Sequence, residues 1–328
     1  MAVDTRLQDI LALVRPDLER VAATVRSAAE VEYPLLGAVL GDIVGAGGKR
    51  LRPTMMLLVG QAYGVEPSRV ILAAAASELL HIAGLVHDDL IDQADTRRGA
   101  PTLNSLFDTG TVVLVGDYLF AQAARTAAET GSTRVMAIFG QILAEICDGQ
   151  LREVFKAHDP DQTRADYERR IYGKTASLFA GSAEIAGVLC DAPEEQLAAL
   201  RRFATKVGLA FQIVDDVLDI QQTSEELGKP AGSDLRQGTV TLPMMLFLGN
   251  GHDAAAVARL RRAIGGDVSE EEYRAAIEDL RDAGVLRRSL DESVRYVDEA
   301  KAALAVLPVG EARDALATLA DFAVERHR

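Results

Sequence analysis

The 328-residue chain carries 35 Lys and Arg against 49 Asp and Glu, a net charge of −14, which argues against a partner with a phosphate backbone. With no Trp and only 5% aromatic residues, it also lacks platforms on which single-stranded nucleic acid could stack. Hydrophobic residues at 48% and charged residues at 26% exclude a disordered chain.

Apolar residues recurring three and four apart predict helices over 7–25, 51–63, 71–91 and 112–128. The same spacing continues over 135–155, 176–189 and 197–220, with shorter pieces to the end. Pro67-Ser68 and Pro193-Glu194-Glu195 read as helix starts. The best strand candidate, Thr111-Val112-Val113-Leu114-Val115, runs straight into an Ala-rich helical pattern. No repeat or low-complexity linker interrupts the chain, so one all-α domain over residues 1–328 is expected. Cys147 and Cys190 lie in apolar helical contexts and read as buried free thiols of a reducing compartment. No run approaches about 18 uninterrupted apolar residues, and Met1-Ala2-Val3-Asp4 shows no leader pattern. The expected setting is the cytoplasm, with no transmembrane segment.

Two segments read as functional loops. Gly45-Ala46-Gly47-Gly48-Lys49-Arg50-Leu51-Arg52-Pro53 combines glycines with cations, and residues 224–239 hold Gly228-Lys229-Pro230, Gly232 and Gly238.

The chemistry is carried by acids. Asp88-Asp89-Leu90-Ile91-Asp92 and Asp215-Asp216-Val217-Leu218-Asp219 repeat one pattern, Asp-Asp-x-x-Asp, each after an apolar run. On a helix, residues i and i+4 share a face one turn apart, so Asp88 projects beside Asp92 and Asp215 beside Asp219. Acids this close repel, and a pair of such clusters against core-like sequence needs counter-ions. A solvated acidic helix end is the ordinary meaning of one charge run, but it accounts poorly for two. Hard oxygen ligands of this kind suit Mg²⁺, which shares its shell with waters and substrate phosphates. Cations for the remaining phosphate charge stand at loops and helix ends: Lys49, Arg52, Arg97, Arg98, Lys174 beside Thr175, and Lys229.

Taken together, these motifs resemble the signature regions of trans-isoprenyl diphosphate synthases, the polyprenyl synthetases. The resemblance runs through Gly47-Gly48-Lys49-Arg50-Leu51-Arg52-Pro53, both Asp-Asp-x-x-Asp motifs, Arg97-Arg98-Gly99, Lys174-Thr175-Ala176, Phe211-Gln212 and Gly228-Lys229-Pro230, in family order. It implies a single large all-α helical bundle of the isoprenoid synthase type, with the acidic motifs facing across a central cavity, usually as a homodimer. By resemblance, Asp88, Asp89 and Asp92 hold Mg²⁺ on the allylic diphosphate, and Asp215, Asp216 and Asp219 hold a further Mg²⁺, with three ions expected per site. Arg97, Lys174 and Lys229 are expected on that diphosphate with Thr175 and Gln212 nearby, and Lys49, Arg52, His81 and Arg98 on isopentenyl diphosphate. Where many relatives carry Lys, this chain has Thr239.

The implied reaction condenses isopentenyl diphosphate, 1′-4 and trans, onto an allylic diphosphate. Bulky aromatics just before the first motif block the channel in short-product relatives; here Ala83 and Gly84 are small, and Phe139 is a candidate for a deeper floor. A hexaprenyl to decaprenyl product is expected, with transient membrane contact on its release. The alternatives are a geranylgeranyl or farnesyl diphosphate synthase, a class I terpene cyclase, or a non-catalytic subunit of a heteromeric synthase. A di-iron bundle would need a second Glu-x-x-His beside Glu78-x-x-His81, and the chain has none.

Overall fold

Long amphipathic segments, capped by short polar side chains, become helices nearly everywhere the periodicity indicates. A computed structural model describes residues 5–28, 30–45, 50–97, 100–221, 232–249, 251–266 and 268–325. In chain order the helices are α1 (Thr5–Ala28), α2 (Pro34–Gly45), α3 (Leu51–Ala62), α4 (Ser68–Ile91), α5 (Leu103–Leu106), α6 (Thr109–Ala128), α7 (Thr133–Lys156) and α8 (Arg164–Ile171). A π-helical turn, Tyr172–Ala176, leads into α9 (Ser177–Leu189) and α10 (Glu194–Gln221). There follow α11 (Ser233–Arg236), α12 (Leu242–Leu248), α13 (Ala254–Gly265), α14 (Glu270–Asp282), α15 (Val285–Ala303) and α16 (Glu311–Val324). The strands among the described residues are β1 (Thr96–Arg97) and β2 (Ala100–Pro101), antiparallel, pairing Thr96 with Pro101 and Arg97 with Ala100.

The strand candidate at Thr111–Val115 is helical. The Asp108 carboxylate accepts the Thr111 backbone N–H at 3.1 Å and caps α6, so the β-branched residues fall inside a nucleated helix. Capping boxes open α8, from Thr163 to Asp166, and α14, from Ser269 to Glu272. Part of the first loop is corrected too, because Leu51, Arg52 and Pro53 form the first turn of α3. Arg50 precedes it with φ +46°.

The described residues group into two compact units. The first comprises Met1–Leu143, Leu178–Ala204 and Ala300–Phe322. Its centre is α4, packed on α1, α3, α5 and α6, with Leu79, Leu80 and Ala83 fully buried. Each buried leucine contributes about 1.5–3 kcal/mol. The alanine run Ala73–Ala76 leaves little bulk on α4, which lets neighbouring helices approach closely. By length and composition α4 could cross a membrane, yet 67% of its most apolar stretch is buried inside the protein.

The second unit comprises Ala144–Ser177, Thr205–Glu299 and Ala323–Arg328. One of its cores gathers Tyr167, Ile171, Ala176, Leu209, Ile213 and Leu242; another gathers Val240, Met244, Phe247, Leu260, Ile264 and Leu280. The π-turn lies close against the 144–156 part of α7. A Cβ on Gly149 would collide with the Lys174 backbone nitrogen, and one on Gly173 would lie 2.7 Å from the Glu145 carbonyl oxygen. Glycine at both positions is what allows this backbone approach. Cys190 is buried as expected, its thiol pushed up to about 12 chiefly by burial. Cys147 is exposed, contrary to expectation, because its face of α7, with Ala144 and Leu151, points outward.

Candidate active site

In the first unit, α4 carries Asp88 and Asp89 in its last turn and ends on Asp92 as C-cap. The negative end of the helix dipole adds to the repulsion among these carboxylates. Asp89 is 8% exposed, and burial raises its pKa against the opposing pull of Arg97. Arg97, on β1, donates to Asp89 Oδ1 from Nε and NH2, each at 2.7 Å. One expected diphosphate cation is thus already seated on one expected metal ligand. His87, next to the motif in sequence, lies against Gly116, where a Cβ would collide with its ring, and meets Phe120 edge-on at 5.3 Å.

Arg52, in the first turn of α3, lies over the Phe179 ring with its guanidinium carbon 4.3 Å from the centroid. His81 is half-buried on α4, two turns before Asp88. Farther back, Ala73, Ala76, Ser77 and Leu80 line a narrow cavity of about 10 Å³ with Phe139 and Ser182. At 1.5 Å per residue, Ser77 and Ala73 lie about 16 and 22 Å along the helix from Asp88. Ser77 and Ser182 share a buried hydrogen bond, Oγ to Oγ, at 2.7 Å. Ala83 is fully buried and is not among the cavity-lining residues, nor is half-buried Gly84, around which a Cβ would meet nothing within 4 Å.

In the second unit, Asp215, Asp216 and Asp219 occupy the last two turns of α10. Asp216 is 2% exposed, and burial pushes its carboxyl up to about 6 although Gln212 and Tyr167 both donate to it. Gln212 Nε2 reaches Asp216 Oδ1 at 2.9 Å, and the Tyr167 hydroxyl reaches Oδ2 at 2.7 Å. Thr175 Oγ1 donates to Gln212 Oε1 at 2.6 Å. Lys174, on the π-turn, reaches Glu153 Oε1 at 2.5 Å, and buried Arg170 has Nε 3.8 Å from Glu153 Oε2. Asp219, 3% exposed, accepts the Asp234 backbone N–H at 3.1 Å, and its carbonyl accepts that of Gly232 at 2.8 Å. Thr239 is buried, its N–H on the Asp234 carbonyl.

Lys49, Arg98 and Lys229 lie outside the described residues. Tyr167, Arg170 and Glu153 escaped sequence reasoning; their roles arise from tertiary packing, and a Tyr on an apolar face reads simply as core. His158 is a structural residue, its Nδ1 2.8 Å from the Ile264 carbonyl oxygen, and His252 stacks on Phe247.

The donor set fits a divalent, oxygen-seeking cation. Both motifs offer hard carboxylates at helix C-termini, and burial already disfavours the charge on Asp89 and Asp216. Among the described residues, no group of three or more His, Cys, Asp or Glu side chains is gathered as a metal cage. A metal here would complete its shell with substrate oxygens and water, as Mg²⁺ does.

Residues 33–280 match the polyprenyl synthetase family model. Over 98% of its length the chain is 39% identical to heptaprenyl diphosphate synthase component 2 of Geobacillus stearothermophilus, spanning 97% of that protein. The solved polyprenyl synthase of Caulobacter crescentus, in complex with calcium and isoprenyl diphosphate, superposes with a TM-score of 0.93 at 35% identity, covering 98% of each chain. A decaprenyl diphosphate synthase structure from Rhodobacter capsulatus gives a TM-score of 0.91 at 36% identity, covering 98% of this chain and 99% of that one.

Proposed function

The chain belongs to the polyprenyl synthetase family and has its all-α isoprenoid synthase fold, and on that premise we propose how its residues perform the prenyl transfer. It condenses isopentenyl diphosphate, 1′-4 and trans, onto an allylic diphosphate and builds a polyprenyl chain of hexaprenyl to decaprenyl length. The reading rests above all on two Asp-Asp-x-x-Asp motifs at the C-terminal ends of α4 and α10. The whole chain, 1–328, acts as one polyprenyl synthetase domain.

Asp88, Asp89 and Asp92 would hold Mg²⁺ for the allylic diphosphate, and Asp215, Asp216 and Asp219 would hold a further Mg²⁺, with three ions per site. Bound Mg²⁺ supplies charge stabilisation on the departing diphosphate. Lys174, Arg97 and Lys229 add cationic hydrogen bonds to the same oxygens, strongest as the allylic C–O bond breaks. For Arg97 and Lys174 this requires exchanging the Asp89 and Glu153 carboxylates for diphosphate oxygens. Lys49, Arg52, His81 and Arg98 hold isopentenyl diphosphate so that its double bond attacks the allylic carbon, a gain from positioning. The released diphosphate accepts the proton lost afterwards, so no side-chain base is assigned. Apolar walls exclude water that would quench the cation. The growing tail is assigned a path along α4 past Gly84 and Ala83 towards the cavity at Ser77 and Phe139, which requires the side chains covering fully buried Ala83 to give way.

A homodimer in the cytoplasm, touching membrane transiently as product leaves, fits this chemistry. The Geobacillus relative is named as a component, which raises a heteromeric assembly as the second reading. Both acidic motifs are present here, as a catalytic chain requires. Assay of the purified chain alone with Mg²⁺, isopentenyl diphosphate and a short allylic primer separates the two. Incorporation supports the proposal; turnover only after adding a partner protein supports the heteromer, and a cyclised hydrocarbon supports a cyclase.

A further inference from the structure

Asp216 is the most enclosed carboxylate of the second motif, and two different donors grip its two oxygens. The Tyr167 hydroxyl takes Oδ2 at 2.7 Å, and Gln212 Nε2 takes Oδ1 at 2.9 Å. Thr175 fixes the Gln212 amide by donating to its oxygen, which turns the nitrogen towards Asp216. On its other side the Tyr167 ring lies beneath Arg170, whose guanidinium carbon is 5.5 Å from the ring centroid. Arg170 donates to the Val240 carbonyl at 2.7 Å and adjoins Glu153, which holds Lys174, the neighbour of Thr175. The chain of contacts therefore closes on itself within the second unit.

We infer that Tyr167 is a positioning residue for the metal–diphosphate site: through Asp216 it sets the geometry of the second acidic motif and links that motif to Lys174. Tyr167 is wholly buried, so it acts through Asp216 rather than by touching the ligand. Two of about four lone-pair directions on the carboxylate are taken by these donors, which leaves the others aimed in a fixed direction. Partners of this kind orient ligands, and their loss weakens metal affinity by roughly 10–100-fold. The inference rests on the proposed role of the second motif in binding metal.

The test is Mn²⁺ uptake in the presence of inorganic diphosphate, read from the electron paramagnetic resonance signal of free Mn²⁺. Tyr167→Phe removes only the hydroxyl, and about tenfold weaker Mn²⁺ binding is expected. The Mg²⁺ half-saturation for turnover rises in parallel, while the KM for isopentenyl diphosphate stays within about twofold. Ile171→Val, a methylene removed from the same core, lowers stability without changing Mn²⁺ affinity. Thr175→Val, which removes the donor orienting Gln212, weakens Mn²⁺ binding in the same direction and carries the test if Tyr167→Phe does not fold. Mn²⁺ affinity in Tyr167→Phe or Thr175→Val equal to that of Ile171→Val overturns the positioning role alone. A wild-type chain that takes up no Mn²⁺ with diphosphate overturns the reading of the acidic motif, and this inference with it.

Discussion

Asp215 and Asp216 are adjacent on α10, yet their surroundings differ: Asp215 is half-buried and Asp216 almost wholly enclosed. Asp215→Asn therefore removes charge where a metal has access, and a 10²–10³-fold fall in kcat is expected, as for loss of a principal electrostatic stabiliser. Steady-state turnover at saturating Mg²⁺ measures it; a fall below tenfold would contradict the assignment. Lys174 makes a different contribution. Its short contact with Glu153 holds the ammonium in place before substrate arrives. Lys174→Gln is expected to raise the KM for the allylic diphosphate by roughly 10–100-fold, the equivalent of a charged hydrogen bond worth about 1.5–3 kcal/mol. The KM for isopentenyl diphosphate, measured in the same assay, should change little. The acids were legible from sequence because i, i+4 spacing alone places carboxylates side by side, whereas the role of Lys174 came from its place in the family's motif order. Tyr167, Arg170 and Glu153 were not, because nothing local distinguishes a buried tyrosine that donates to Asp216 from one that only fills space.

At the scale of elements, α4 joins two functions, bearing the first acidic motif at its end and small cavity-lining residues farther back. Ala83→Phe places a ring about one and a half turns from Asp88, and a shortened prenyl product is expected by mass spectrometry. Overpacking costs about 1–3 kcal/mol, so the variant should still fold. Unchanged product length would remove the channel from this face of α4. The sequence sets Lys174 and Thr175 at the start of the helix over 176–189; the structure corrects this, carrying them through one continuous helical segment from Arg164 to Leu189. The π-turn at Tyr172–Ala176 was not legible, because its extra residue rotates the following apolar stripe by about 100° and so breaks the periodicity there. Its dependence on Gly149 is direct: Gly149→Ala drives a methyl into the Lys174 backbone, and a lower unfolding midpoint with weakened allylic diphosphate binding is expected. Helix α2 was likewise missed, an apolar segment broken by Gly37 and Gly41 whose only buried residue is Leu40. The long helices were readable because their apolar stripes persist over several turns.

For the molecule as a whole, a net charge of −14 and two acidic helix ends make divalent cations a stabilising ligand. Mg²⁺ with inorganic diphosphate should raise the unfolding midpoint, by up to about 2.7 kcal/mol of stability at a hundredfold excess over Kd. Chelation should reverse the shift, and no shift would contradict metal binding by the folded chain. The prenyl transfer itself is measured most directly by product analysis from the purified chain alone, supplied with Mg²⁺, isopentenyl diphosphate and a short allylic primer. Mg²⁺-dependent, linear all-trans polyprenyl diphosphates of hexaprenyl to decaprenyl length are expected. Products that stop at farnesyl or geranylgeranyl diphosphate, or no incorporation without a second protein, would contradict this expectation.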